Sequence, residues 1–210
     1  MAAITDEPDS AQVLSAADWN DKSSLTRNPC YYSKTLAERA ARNFHRSHKP
    51  AWSLVVINPF IVIRPAMVKG VNQSNKVLVD MMMGAYPAIM GLTWGFVDVR
   101  DVASGRYLCA GKTRSMREVV ALLRDHGYAH TRLPKLGLDS PFGNKLALLA
   151  SYTQPTGVAT YLRSHLGRVV RYDNGKIQRE LGVSFRDLNS SILETAADLA
   201  RWGHVPTARA

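Results

Sequence analysis

The chain has 210 residues, of which 46% are hydrophobic, and a formal net charge of +10. This length and composition suit a folded protein with one main core, and no apolar run reaches the roughly 18 residues of a membrane span, so we expect no membrane partner. The Lys and Arg residues are spread along the chain without a long basic run, which argues against nucleic acid as a partner.

The N-terminal residues and the cysteines indicate the cellular compartment in which the protein resides. Residues 1–10 are acidic and polar, and they lack the basic and apolar regions of a signal peptide. Cys30 and Cys109 form no metal-ligand spacing, and a reduced state in the cytoplasm is the default for such thiols. The sequence therefore predicts a cytoplasmic protein without a metal site.

A helix is predicted to open at Asn28, which suits an N-cap, and to end before Pro50. Tyr31 and Lys34 are neighbours on this helix, while Cys30 and Lys34 share a face one turn apart. An ammonium beside a phenol favours the phenolate, so Lys34 would lower the pKa of Tyr31. The phenol would then serve as an acid or base at a carbonyl.

The remaining segments predict alternating helices and strands. The continuously apolar run 52–57 predicts a buried parallel strand, and ligands bind at the carboxyl ends of such strands. Residues 86–95 are expected to form a loop, and 96–103 a strand that leads into a helix. A further strand is predicted over 106–110. Further helices are predicted over 75–83, 115–126, 145–151, 157–166, 176–181 and 190–202.

One stretch carries a family resemblance. Ser33-Lys34-Thr35-Leu36-Ala37-Glu38 resembles the active-site helix of the extended short-chain dehydrogenases/reductases, also called the NAD-dependent epimerase/dehydratase superfamily. The most similar branch is that of the dihydroflavonol and cinnamoyl-CoA reductases, whose members carry Tyr-x-x-x-Lys before Thr-Leu-Ala-Glu. Here Cys30 stands at the position of the family's catalytic tyrosine, and Tyr31 beside it is the fallback.

The resemblance implies an α/β fold with a partial doubly wound, Rossmann-type parallel sheet that lacks its first strands, plus a small mixed C-terminal lobe. Residues 1–111 would form the C-terminal half of a dinucleotide-binding domain with interleaved substrate-lobe segments. Residues 112–210 would form a mainly helical substrate-lobe region. No Gly-x-Gly-x-x-Gly loop occurs in the chain, and no serine falls at the family's catalytic position. A helix that the family carries after residue 103 also has no counterpart.

The same resemblance implies a function. The family's members use a nicotinamide cofactor to reduce a carbonyl, with a tyrosine as proton donor and a lysine that holds the ribose. Catalysis would fall to Lys34, with Cys30 or Tyr31 at the proton-donating position. The implied contacts to the NADP or NAD cofactor are made by Lys34, Pro59, Phe60, Ile61, Val62 and Ser74.

Two functions therefore remain open. The first is an NAD(P)-dependent reductase of a small-molecule carbonyl, impaired because Phe60 and Arg64 replace family glycines and Cys30 replaces the tyrosine. For the chain as it stands we expect weak NADPH binding and no turnover. The alternative is a catalytically inactive, truncated paralogue or a module that associates with a partner. Coding sequence in frame before Met1 would separate the two. Substrate, choice of NAD or NADP, and oligomeric state stay open.

Overall fold

The computed structural model describes residues 5–9, 13–15, 17–65, 68–104, 112–173, 175, 179 and 184–209. The helices in these ranges are α1 (Pro29–His48), α2 (Gln73–Met82), α3 (Val99–Ser104), α4 (Met116–Leu123), α5 (Pro141–Ala150), α6 (Thr156–His165) and α7 (Leu188–Arg201). The strands are β1 (Val13–Leu14), β2 (Ile61–Ile63), β3 (Ile89–Met90), β4 (Thr93–Asp98), β5 (Lys112–Ser115), β6 (Gly137–Leu138) and β7 (Arg171–Tyr172). Outside the described residues lie Cys109, the strand predicted over 106–110, most of the helix predicted over 176–181 and the chain directly after α3.

The largest sheet has the strand order β2-β4-β5. Strands β2 and β4 run parallel, with Ile61 opposite Phe96, and β4 and β5 run antiparallel, with Thr93 opposite Ser115. Two further parallel pairs join β1 to β7 and β3 to β6. Parallel strands joined through helices confirm the predicted α/β class.

The main core joins this sheet to α2, α4 and α7. Ile63 and Phe96 from the sheet, Leu78 from α2, Val119 from α4 and Ile192 from α7 all belong to one fully buried cluster. Each helix turns an apolar stripe toward the sheet, and the last helix also buries Ser191 and Thr195. This cluster contains residues from both sides of the domain boundary predicted after residue 111. That boundary stays a prediction.

Local sequence patterns explain several details of the fold. Of the three consecutive methionines, Met81 and Met82 are fully buried in the core, whereas Met83 is 45% exposed. Ser115 begins α4 with a complete capping box, in which its hydroxyl accepts from the Glu118 backbone and the Glu118 carboxylate accepts in return. Gly203 ends α7 at a φ of 76°, a backbone conformation that favours glycine. Within the described ranges, no helix combines the length and apolar character needed to cross a bilayer.

The strand predicted over 52–57 is wrong. That segment has no regular secondary structure, and Trp52, Val55 and Ile57 are 52%, 47% and 39% exposed. An apolar run becomes a strand only where another strand pairs its backbone groups, and the described part of the chain offers none here. Parallel pairing begins instead at Ile61.

Two other expectations also need correction. Asn28 occupies the N-cap position of α1, but its side chain makes no capping hydrogen bond and its backbone is left-handed, with a φ of 47°. The segment 86–95 is not all loop, because β3 and the first residues of β4 lie within it. Their pairing partners, β6 and β2, are distant in sequence, and local patterns do not reveal such pairs.

Candidate active site

A cavity of about 80 Å³ lies beside the first turn of α1, near the amino ends of β2 and β4. This volume is enough for a few water molecules or a small ligand group. Six aromatic side chains line it: Tyr31, Phe60, Trp94, Tyr161, His165 and Tyr172. The cavity thus joins α1, the segment before β2, β4, α6 and β7 at one point.

A buried polar contact fixes the start of α1 beside this cavity. The Asn28 side-chain amide donates to Asp6 Oδ1 at 2.7 Å and to Ser164 Oγ on α6 at 3.1 Å. The Asp6 carboxylate also accepts from Ser23 and from Arg27. Because these groups are buried, losing one partner would leave the others unsatisfied at a cost of about 1–3 kcal/mol. The left-handed backbone of Asn28 is held by these contacts.

Tyr31 is the residue of the predicted catalytic stretch that faces the cavity. Its ring meets the edge of the His165 ring at a centroid distance of 5.9 Å. Burial raises the pKa of the Tyr31 phenol well above its ordinary value, and the neighbouring Tyr161 and Tyr172 raise it further. This direction is opposite to the lowered pKa expected from Lys34. Tyr31 is therefore protonated at neutral pH.

Cys30 and Lys34 lie outside the cavity. Both are exposed on α1. One residue along a helix turns the side chain by about 100°, so Cys30 points away while Tyr31 points in. The Lys34 ammonium forms no ion pair within the described part of the chain. It lies one turn from Tyr31, on the solvent side of the helix.

The residues expected to contact the cofactor separate into two groups. Phe60 and Ile61 line the cavity. Pro59, Val62 and Ser74 do not: Val62 packs beside Phe60 and Val97 in a second, smaller core, and Ser74 lies in the first turn of α2. Glu38 on α1 ties down the segment before Phe60, because its carboxylate accepts from the Asn58 amide at 3.0 Å.

Phe60 closes one side of the cavity through a close fit with Gly95. A Cβ atom added to Gly95 would lie 2.3 Å from the Phe60 ring, far inside van der Waals contact. The ring also meets Tyr172 edge-on at a centroid distance of 4.5 Å. The bulky residue at position 60 is therefore accommodated by the absence of a side chain on β4.

Tyr161 and His165 of α6 complete the site, and the sequence analysis missed both. Their rings stack at 4.3 Å, and the Tyr161 hydroxyl accepts from the Trp94 indole at 3.0 Å. Burial raises the pKa of Tyr161 to about 12 and lowers the pKa of His165, so both are neutral at pH 7. Two aromatic residues four apart in the helix predicted over 157–166 were the available signal, because that spacing places them on one face.

No protein-family model matches the chain. It is 30% identical to the ketoreductase azaE of Aspergillus niger over 76% of the chain and 47% of that protein. It is 27% identical to cinnamoyl-CoA reductase 1 of Arabidopsis thaliana over 94% of the chain and 54% of that protein. The chain thus spans about half the length of the curated relatives it matches.

The fold has solved counterparts. The structure superposes on the yeast methylglyoxal/isovaleraldehyde reductase Gre2, solved with NADPH, with a TM-score of 0.70 and 22% identity over 97% of the chain and 63% of that structure. Vestitone reductase from alfalfa gives a TM-score of 0.65 over 97% of the chain and 63% of that structure, at 17% identity. The chain is therefore a homologue of a ketoreductase and of the cinnamoyl-CoA reductases, and it shares the fold of the extended short-chain dehydrogenases/reductases.

Proposed function

We propose that the chain is an NAD(P)-dependent reductase of small aldehydes or ketones in which Tyr31 is the proton donor. The observation that carries this proposal is the position of Tyr31, whose ring lines the cavity while Cys30 is exposed. The relatives support the chemistry, since they are named as a ketoreductase, a cinnamoyl-CoA reductase and an NADPH-dependent methylglyoxal reductase. A cytoplasmic location remains part of the proposal.

Lys34 and Phe60 are the residues that would meet the nicotinamide end of such a cofactor. Lys34 is exposed and unpaired within the described residues, one turn from Tyr31, so its ammonium can bind a ribose hydroxyl. Bound NAD(P)H would supply the hydride. Phe60, packed against Gly95, restricts the adjacent cavity to a small carbonyl group.

Proton donation then follows from the site's own residues. A carbonyl in the cavity would lie against Tyr31, and its oxygen gains negative charge as the carbon is reduced. The Tyr31 phenol, kept protonated by burial, donates its proton to that oxygen. Neutral His165 at the ring edge adds no competing charge. The aromatic wall excludes bulk water and strengthens the hydrogen bond to the substrate oxygen.

A second candidate is the inactive association module. Cys30 favours it, because the exposed thiol at the family's tyrosine position cannot donate into the cavity. The weak NADPH binding and the absence of turnover that the sequence led us to expect both belong to this candidate, whereas the first candidate departs from them because Tyr31 lines the cavity. It differs from the first in one measurable respect, since it predicts no carbonyl-dependent oxidation of NADPH at any cofactor concentration.

The test is NADPH oxidation by the purified chain with isovaleraldehyde as substrate, followed by absorbance. We expect carbonyl-dependent turnover that falls about 100-fold or more in Tyr31→Phe, the usual contribution of a positioned general acid. Tyr32→Phe is the matched control, because it removes the neighbouring phenol, which does not line the cavity. Equal rates in Tyr31→Phe and the wild type, or no turnover at millimolar NADPH, would refute the proposal.

A further inference from the structure

A second, larger pocket lies on the far side of Tyr161 from the candidate active site. It has a volume of about 530 Å³ and is bounded by the end of α2 and the 85–92 segment on one side and by α5 and α6 on the other. Tyr161 lines both cavities, so its ring forms a wall between them. Nothing in the proposed reduction uses this second pocket.

The walls of the pocket are fixed by hydrogen bonds. Strands β3 and β6 pair across its floor, with Met90 opposite Leu138. Gly91 donates its backbone N–H to the Asn144 side chain on α5 at 3.2 Å, and its carbonyl accepts from Gly167 after α6 at 2.7 Å. The segment and the two helices are thus tied together around the space, which favours a preformed pocket over one that closes by helix sliding.

The lining is mainly apolar, with a few polar side chains, which include Asp80 and Tyr86 on one side and Ser151 and Gln154 after α5 on the other. Its apolar wall includes Pro87, Met90, Leu92, Ala147, Val158 and Leu162. Asp80 and Tyr86 lie together at the same side of the pocket, where burial and the Asp80 charge raise the pKa of the Tyr86 phenol. The Tyr86 hydroxyl makes no hydrogen bond to the described residues, whereas Asp80 is paired with Lys76.

These features define a ligand chemistry. The volume falls within the range of small-molecule sites, and a few polar groups among apolar walls are what such sites use to fix orientation. The protonated Tyr86 phenol can donate to an oxygen of the ligand. An anionic ligand would lose its hydration among these apolar walls, and Asp80, already paired with Lys76, offers it no positive charge in return.

We propose that this pocket is a binding site for an uncharged, ring-sized apolar molecule with one oxygen acceptor, separate from the reactive cavity and anchored by Tyr86. Such a molecule inserts its ring between the 85–92 segment and α6, against Met90 and Leu162. Its oxygen accepts from Tyr86. A carboxylate of the same size binds more weakly because its charge must be desolvated among the apolar walls.

Calorimetric titration of the purified chain with 2-naphthol, and separately with 2-naphthoate, tests this site. We expect saturable binding of 2-naphthol, at least tenfold weaker binding of 2-naphthoate, and several-fold weaker binding of 2-naphthol to Tyr86→Phe. Ala150→Trp should abolish binding, because Ala150 is exposed and lines the pocket, so the indole fills it without disturbing the core.

Leu149→Trp is the matched control, since Leu149 is 67% exposed on the same helix and does not line the pocket. It should bind 2-naphthol as the wild type does. Thermal unfolding of both tryptophan variants confirms that they fold. No saturable binding, equal binding of the two naphthalene compounds, or binding unaffected by Ala150→Trp would each overturn the proposal.

Discussion

The close fit of Phe60 against Gly95 makes a prediction that a double-mutant cycle can test. Gly95→Ala places a methyl group 2.3 Å from the Phe60 ring, so the ring must move or β4 must shift. Overpacking of this kind typically costs about 1–3 kcal/mol of unfolding free energy. Phe60→Ala should lower the free energy of unfolding by about 3 kcal/mol. This value is at the low end of the range for truncating a buried phenylalanine to alanine, because the Phe60 ring already borders a cavity.

The double variant separates this contact from other effects. Once Phe60 is alanine, the methyl group at position 95 meets no ring, so Gly95→Ala should become neutral or slightly stabilising in that background. The coupling between the two sites is then about 1–3 kcal/mol. The measurement is equilibrium unfolding in urea followed by circular dichroism, with ΔG taken from the midpoint and the slope.

Gly157→Ala provides the control, because no atom lies within 4 Å of a Cβ added there. It should stabilise α6 by up to about 1 kcal/mol through helix propensity alone. If the destabilisation of the double variant equals the sum of the two single variants within about 0.5 kcal/mol, the two sites are independent. That result would refute the reasoning.

Three further predictions concern stability. Burial alone would raise the pKa of Asp98, but hydrogen bonds from Arg100 and Ser191 outweigh burial and lower this pKa from 3.8 to about 2. The free energy of unfolding should therefore fall by about 2 kcal/mol as the pH drops from 4 to 2. Asp98→Asn should lack that pH-dependent loss in an unfolding series. Ser115→Ala removes the capping box and should lower the free energy of unfolding in urea by about 1 kcal/mol. An unchanged free energy of unfolding would contradict this prediction. Burial raises the pKa of Tyr161 from 10.0 to about 12, so stability should decline as pH rises from 10 toward 12, less steeply in Tyr161→Phe.

Local features of the fold were predictable from sequence because they depend on neighbouring residues. The capping box at Ser115 and the glycine that ends α7 follow from spacing and backbone preference. The family resemblance added the α/β class. The run 52–57 has the composition of a strand, yet its structure depends on a pairing partner that composition cannot supply.

The site was predictable only in part. Tyr31 was identified as a fallback from its place beside Cys30, but its neighbours come from α6. The residues of the Asn28–Ser164 hydrogen bond are 136 positions apart in sequence, and no local sequence pattern predicts such a contact. The pKa of Tyr31 was predicted in the wrong direction, because sequence showed the charged neighbour Lys34 and not the burial that dominates.

The most direct test of this account is the rate of carbonyl-dependent NADPH oxidation in Cys30→Ser compared with Tyr31→Phe. If Tyr31 donates the proton, Cys30→Ser should keep the wild-type kcat, because the thiol is exposed and outside the cavity, while Tyr31→Phe should lose about 100-fold or more. Loss of activity in Cys30→Ser with full activity in Tyr31→Phe would contradict the account.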